Sequence, residues 1–347
     1  MPTYLYPLNR ELMMILPDKV DRLAQDRLGL QLMPIREVNA AMVEWTQRDN
    51  VFGLQQLRGL DGAPTHVKNI GAKRYRYEPG VYGEFMTIGE TELTIRAGST
   101  VGDDVVVDVS DLVAEDQDQL TQRELDRIEQ IIWLLLTTGT FAIAIPRGDG
   151  QVTVAFTDTF SIQTYTASVQ WVNRSTAYPL DNFRSVQLFG RGRGLNFGAN
   201  AKACMNRATF NNMIGNTNGS DLGGKKVLGG DTLNSLTAIN QVLLGEGLPQ
   251  IELYDEGYYD DTNTFQLYIP NNKVVVMGAR ASGEKIGEYL KTRNASNGYK
   301  PGSYSYTKDY AQGINAPKET PARIEVHQGH NGGPVLYFPG GVIVMNV

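Results

Sequence analysis

Five sets of residues could carry chemistry by their type and spacing. The run Gly219 to Lys226, GSDLGGKK, has the G-x4-G-K spacing with which backbone amides and a lysine cradle phosphates. Lys226 stands where a serine or threonine would hold magnesium, and VLGGD follows where a helix would have to open. It reads as a solvated Gly-rich loop. GRGRG, Gly190 to Gly194, has the glycine density of a dinucleotide fingerprint but follows a predicted helix, whereas the fingerprint must follow a strand. His66, His327 and His330 are the only histidines. His327 and His330 stand three apart beside Asn331, Gly332 and Gly333, which predict a turn, and two imidazoles without further ligands do not make a zinc site. Asp111, Glu115, Asp116 and Asp118 lead into a predicted helix, where negative charge suits the N-terminus. Asp255, Glu256, Asp260 and Asp261 flank Tyr258 and Tyr259 at a predicted hairpin tip. Paired acids can hydrolyse glycosides and clustered ones can take calcium, but neither group has recognisable partners, so both read as solvated. Cys204, the single cysteine, cannot form an internal disulfide and reads as a small buried apolar residue. No Ser/His/Asp or HExxH pattern is present. No catalytic, cofactor-binding or metal-binding residue is assigned, no cofactor is expected, and a non-enzyme is predicted.

Composition sets the frame for these residues. A chain of 347 residues, 41% hydrophobic and 20% charged, can bury a large core in one domain or a few interleaved ones. The net charge of -6 argues against a protein that clamps nucleic acid through its phosphates, but not against a surface that merely faces DNA. The 37 glycines and 17 tyrosines favour strands and turns over a helical bundle. No signal peptide or spanning apolar run is visible, so a soluble chain made without export is expected.

Several elements follow from the pattern. Residues 1–45 read as an arm with short helices and little core of its own. Residues 46–97 read as long strands, with Phe85, Thr87, Thr91, Leu93 and Ile95 alternating with mostly polar neighbours. A strand pair with no helix to cover it is marginal alone, so it is expected to project and pack on another subunit. Thr121 and Glu124 have capping-box spacing, and Leu125, Ile128, Ile132 and Leu135 form one apolar stripe ending at Gly139. This predicts a helix over 120–138. From about 150 to 320 an α/β region is predicted. It has a helix capped by Asp181, strands at AKACM, IELYD, TFQLYIP and KVVVMG, and helices at ATFNNMIGN and around Leu233, Leu236, Ile239 and Val242. Two closing strands are expected at ARIEVHQ and PVLYFPGGVIVMNV.

Three stretches in order resemble the lambda-like family of tailed-bacteriophage major capsid proteins. They are RYEPGVYGEFMTIGETELTIRA at 76–97, WVNRSTAYPLDNFRSVQLFGRGRGLNFGANAKACMNRATFNNMIGN at 171–216, and YIPNNKVVVMGARASG at 268–283, followed by the closing strands. The resemblance implies an α+β Hong Kong 97-type capsid fold. Residues 1–45 would be the N-terminal arm and 46–97 the extended loop. Residues 98–145 with 322–347 would form the peripheral domain around a spine helix at 120–138, and 146–321 the axial domain. It implies a shell subunit that self-assembles in hexamers and pentamers to enclose double-stranded DNA without sequence-specific binding, in the virion capsid after assembly in the bacterial host cytoplasm. Lys68, Lys73, Arg74 and Arg76 would reach Glu115, Asp116 and Asp118 of a neighbour, and 217–230 and 255–262 would make ring contacts. No long charged helical extension precedes the arm, so a separate scaffolding protein is expected, with a portal and a decoration protein as further partners. An encapsulin-like compartment shell, a tail or baseplate protein, and a nucleotide-binding α/β enzyme using 219–226 are the competing readings.

Overall fold

A computed structural model of the chain describes residues 3–5, 26–47, 54–67, 73–96, 106–146, 152–189, 191, 195–215, 235–260, 262–280, 285–313 and 315–347. The chain divides into two compact units, each built from three separated segments. The first takes Met1–Val43, Tyr77–Glu129 and Tyr289–Pro334; the second takes Glu44–Arg76, Gln130–Glu288 and Val335–Val347. The segments 217–230 and 219–226, and Gly190 with 192–194 of the GRGRG run, lie outside the described residues, as do Lys68 and residues 1–2 and 6–25 of the arm.

In the first unit, Ile324–Leu336 is the central strand of a five-stranded sheet. Ser303–Asp309 runs antiparallel along one of its edges and Gly80–Ile88 antiparallel along the other. Gly287–Lys291 continues the sheet to Ile35–Glu37, which it pairs in parallel. Strand side chains alternate between faces. Ile88, Ile324 and Val326, with Met86 packed against them, therefore turn into a core completed by Leu93, Val109, Val113 and Leu120. The odd-numbered neighbours Val81 and Phe85 point outward and are exposed.

The long helix is Ser110–Thr138, ten residues longer at its start than the apolar stripe predicts. Thr121 and Glu124 are not a capping box. Both sit inside the helix on its buried face, and the Thr121 hydroxyl donates to the Gln117 carbonyl at 2.8 Å. The stripe itself is correct: Leu125, Ile128, Ile132 and Leu135 are all fully buried. Asp111, Glu115, Asp116 and Asp118 thus ride on the first turns of the helix instead of preceding it. Gly139 ends it in the left-handed region (φ +72°), its amide donating to Leu135 O at 2.8 Å.

The strands predicted in 46–97 are partly corrected. Lys73–Tyr77 pairs with Val43–Gln47, and Gly80–Ile88 belongs to the first unit's sheet. Beyond Ile88 the chain turns helical, over Glu90–Arg96, where a continued strand was expected. Of the alternating residues Thr91, Leu93 and Ile95, only Leu93 is buried, and one anchor does not set a period of two.

The second unit holds another five-stranded sheet, ordered Gln250–Leu253, Lys202–Met205, Lys273–Met277, Val342–Asn346 and Gln163–Thr166. Helices Pro179–Phe189, Arg207–Ile214 and Leu236–Gly245 pack apolar faces onto it. Asn206 and Ser235 cap the latter two by accepting from the amides of Thr209 (2.8 Å) and Ala238 (3.2 Å). Asp181 lies within the first turn of the first of these helices, not before it, and pairs with Arg184 at 2.8 Å, so it does not cap as expected. Trp171, Phe183, Phe210, Val274, Val276, Ile343 and Met345 form the centre of an almost wholly apolar core. Cys204 lies fully buried in the sheet, where burial pushes its thiol up to about 12, consistent with an inert residue.

Candidate functional site

His327 and His330 lie on one strand, not in a turn, because Ile324–Leu336 runs unbroken through HNGGP. The glycines there serve close approach. A side chain on Gly329 would meet Tyr82 O and Tyr304, on Gly332 Leu290 O, and on Gly333 the Tyr77 hydroxyl. Three residues apart on a strand, the two imidazoles face opposite ways and cannot share a ligand. Among the described residues no group of three or more His, Cys, Asp or Glu side chains is placed to hold a metal.

His330 points into a charge cluster that the sequence reading missed. Glu124 reaches it from the long helix, Lys291 and Tyr289 from Gly287–Lys291, Ser303 from Ser303–Asp309, and Gln328 from the central strand. Glu124 Oε1 accepts from Lys291 Nζ at 2.6 Å and from Ser303 Oγ at 2.5 Å; Oε2 accepts from Gln328 Nε2 at 3.0 Å. Lys291 Nζ also donates to Ser303 Oγ at 2.7 Å. The Lys291 and Glu124 side chains are 3% and 6% exposed, so this is a buried ion pair with its lone pairs filled. Burial alone would raise the Glu124 pKa, but Lys291 and the other donors outweigh it and hold the carboxyl at about 2. His330 Nε2 lies 3.0 Å from the Tyr289 hydroxyl, and its ring stacks on Tyr82 at 5.1 Å. Nδ1 stands 3.3 Å from Glu124 Oε1, within ion-pair reach, yet its geometry makes no hydrogen bond. Burial lowers the imidazole pKa to about 4, so it is neutral at pH 7 and the geometry without a bond describes the pair better. The cluster is shielded by its own sheet and helix, with Ser303 at its half-buried margin, and it can hold those elements in register.

A second pair of helix carboxylates fastens the N-terminal segment within the first unit. Glu129, fully buried, accepts from the amides of Gly29 (2.7 Å) and Leu30 (3.0 Å) at the start of the short helix Leu28–Leu32. Asp126, three residues back, accepts from Arg27 Nη2 at 2.6 Å.

The remaining candidates lie on surfaces. Residues 54–67 are exposed throughout, and Leu54, Leu57 and Leu60 are 97%, 101% and 101% exposed. Among the described residues the stretch closes on itself, through Arg58 to Gly62 O (2.9 Å) and Thr65 to Gln56 (3.1 Å). Three leucines at a spacing of three, uncovered by any described residue, present an apolar surface. His66 lies in the same exposed stretch. Of the basic set, Arg74 and Arg76 pair with Glu44 of their own chain, Arg76 at 3.2 Å, yet stay 73% and 61% exposed. Asp116, at the other end of the expected contact, is held above its usual range by burial and by the crowding of Glu92 and Glu115.

The hairpin predicted near Tyr258 forms from Gly257–Tyr259 and Phe265–Leu267. Asp260 lies in the turn between these strands. Its Oδ1 accepts from the Thr262 hydroxyl (2.6 Å) and from the amides of Thr262 (3.0 Å) and Thr264 (2.9 Å), and these bonds pull its pKa to about 2. It holds the turn, and it leaves Tyr259 and Phe265, 68% and 49% exposed and 5.5 Å apart, on the surface.

No family model matches the sequence, and no curated protein does. Solved structures do. A prophage protein of Escherichia coli CFT073, described as a capsid protein, matches over 99% of this chain and 99% of its own, with a TM-score of 0.57 at 12% identity. A phage-related protein of Bordetella bronchiseptica RB50 matches over 94% of this chain and 95% of its own, with a TM-score of 0.52 at 10% identity. At such identities the likeness is one of fold. Over nearly its whole length, this chain has the α+β phage capsid fold, the Hong Kong 97-type architecture that the sequence resemblance implies.

Proposed function

We propose that the chain is the major capsid protein of a tailed bacteriophage, a subunit that assembles with copies of itself into an icosahedral shell around double-stranded DNA. The observation that carries this reading is the full-length match of fold to a protein described as a prophage capsid protein. The uncovered leucines of 54–67 support it, since a surface of that kind calls for a neighbour.

In this reading residues 1–45 are the arm, 46–97 the extended loop, 98–145 with 322–347 the peripheral domain, and 146–321 the axial domain. Leu54, Leu57 and Leu60 lie against an adjoining copy, and Lys73, Arg74 and Arg76 approach the Glu92, Glu115 and Asp116 cluster of that copy. Each exposed ion pair is worth only ~0–1 kcal/mol, but a closed shell repeats it in every subunit. Head-to-tail contacts of this sort close into rings of six and five. A separate scaffolding protein, a portal and a decoration protein are the further partners proposed. The acidic net charge fits DNA that is confined by the wall without being gripped. The protein works in the virion capsid after assembly in the host cytoplasm, and no enzymatic step is assigned to it.

Negative-stain microscopy of the purified full chain tests the proposal. Shells or capsomer rings are expected; a small monodisperse particle under all assembly conditions, with affinity for nucleotide, would overturn it. Substituting serine at Leu54, Leu57 and Leu60 together should abolish shells while circular dichroism stays unchanged. Wild-type shells from that variant would remove the loop from the contact.

A further inference from the structure

The cluster around His330 has no room for one more charge. Glu124 Oε1 already accepts from Lys291 and Ser303, and Oε2 from Gln328, so the carboxylate facing Nδ1 has its nearest lone pairs filled. The imidazole is 1% exposed and closed in by Tyr82 from Gly80–Ile88, Tyr289 and Lys291 from Gly287–Lys291, Ser303 from its strand, and Glu124 from the long helix. Arg127, on the same helix, acts electrostatically on both Tyr82 and Tyr289. The Tyr289 hydroxyl can satisfy one imidazolium N–H; the other would face a carboxylate already shared with an ammonium group. Two cations and one carboxylate in a sealed site leave a buried net positive charge, which water must reach if it is to be stabilised.

We propose that this cluster is a proton-operated latch: protonation of His330 releases the central strand Ile324–Leu336 from the long helix, opening the first unit in mild acid. The cluster members come from the helix and from three strands of the sheet, so the release is felt across the unit and not at one side chain. The neutral imidazole is a condition of closure, because only the uncharged ring fits between Tyr82 and Tyr289 without a further acceptor. Glu124 acts in the same direction at lower pH, since protonating it frees Lys291 as an unpaired buried cation.

Hydrogen exchange of the full chain, read by mass spectrometry on peptides covering 303–309 and 324–331 and corrected for intrinsic rates, tests the latch. Protection in both peptides should fall together as pH drops from 6.5 toward 4, while peptides covering 273–277 stay protected. In His330→Gln, which carries no titrating proton, the loss should move down by about one pH unit or more. Equal midpoints in wild type and variant would overturn the proposal. Should His330→Gln fail to fold, the wild-type imidazole resonance decides: it should not titrate until protection is lost. A resonance that titrates near 6.5 with protection intact would equally overturn it.

Discussion

The two units are stabilised in opposite ways. The second is centred on Trp171, Phe183, Phe210 and the paired strands Lys273–Met277 and Val342–Asn346, an interior in which almost nothing titrates. The polar groups set into that core among the described residues are neutral and satisfied, as where Trp171 Nε1 donates to Asn182 Oδ1 at 2.8 Å and Asn182 in turn donates to Tyr165 at 3.0 Å, while its buried carboxylate, Glu288, lies outside the apolar cluster and pairs with Lys285 at 3.2 Å. The first unit has a smaller apolar core, and beside it stand a buried carboxylate, an ammonium and an imidazole. An apolar core tolerates substitutions that keep its volume, whereas an ion pair with its lone pairs filled accepts only one geometry. The first unit therefore gives up adaptability for a single register, and takes on sensitivity to protons in doing so.

The largest effect that would sharpen this contrast is expected from Lys291→Met, which leaves Glu124 buried and unpaired. It should cost ~3–5 kcal/mol in urea unfolding, while Glu124→Leu with Lys291→Met should recover most of that loss. If the double variant is no better than the single one, the charges are not what fastens the first unit. Phe183→Ala should cost a comparable ~3–5 kcal/mol through a cavity, with no dependence on pH between 4 and 7. A pH-dependent cost there would erase the distinction between the units. Acid should act on the first unit alone. The folded pKa of Glu124 lies below its ordinary 4.5, so its contribution is complete above that value and is lost as pH falls toward 2. His330, depressed from 6.5 to about 4, likewise favours the folded state above 6.5 and ceases to do so on the way down. An acid titration of unfolding free energy in wild type and double variant should show the low-pH limb flattened in the latter. The smallest effect is expected from Arg123→Ala, which removes a two-pronged but exposed pairing with Glu84 (2.5 and 2.9 Å). It should change stability by ~0–1 kcal/mol, and less in high salt.

Which parts of this were legible in the sequence follows from how local each signal is. The stripe Leu125, Ile128, Ile132, Leu135 and the stop at Gly139 are local, and both are found where the pattern puts them. The start of the helix was obscured because Thr121 and Glu124 have the spacing of a cap. Their phase on the helix, on the same face as Ile128, was the available sign that Glu124 turns inward. Lys291 carried a similar sign, lying between Leu290 and Thr292 in a strand with no exposed residue. What joins them is pairing between segments far apart in the chain, such as Gly80–Ile88 with Ile324–Gly332. No window of residues contains that information. The exposed leucines were unreadable for a different reason: LQQLRGL has the spacing of a buried helix face, and only the lack of a covering segment among the described residues reveals a surface.

The position of the last strands has a consequence for the order of events in the cell. Ile324–Leu336 is the central strand of one sheet, and Val342–Asn346 lies between Lys273–Met277 and Gln163–Thr166 in the other. Neither sheet can close until these strands, which lie far along the chain from their partners, have left the ribosome, and contacts of such long range form slowly. Folding of both units is thus gated by the synthesis of these strands. A polypeptide that stops short of Ile324 lacks the middle of both sheets, so the topology keeps such a copy from reaching the folded state at all.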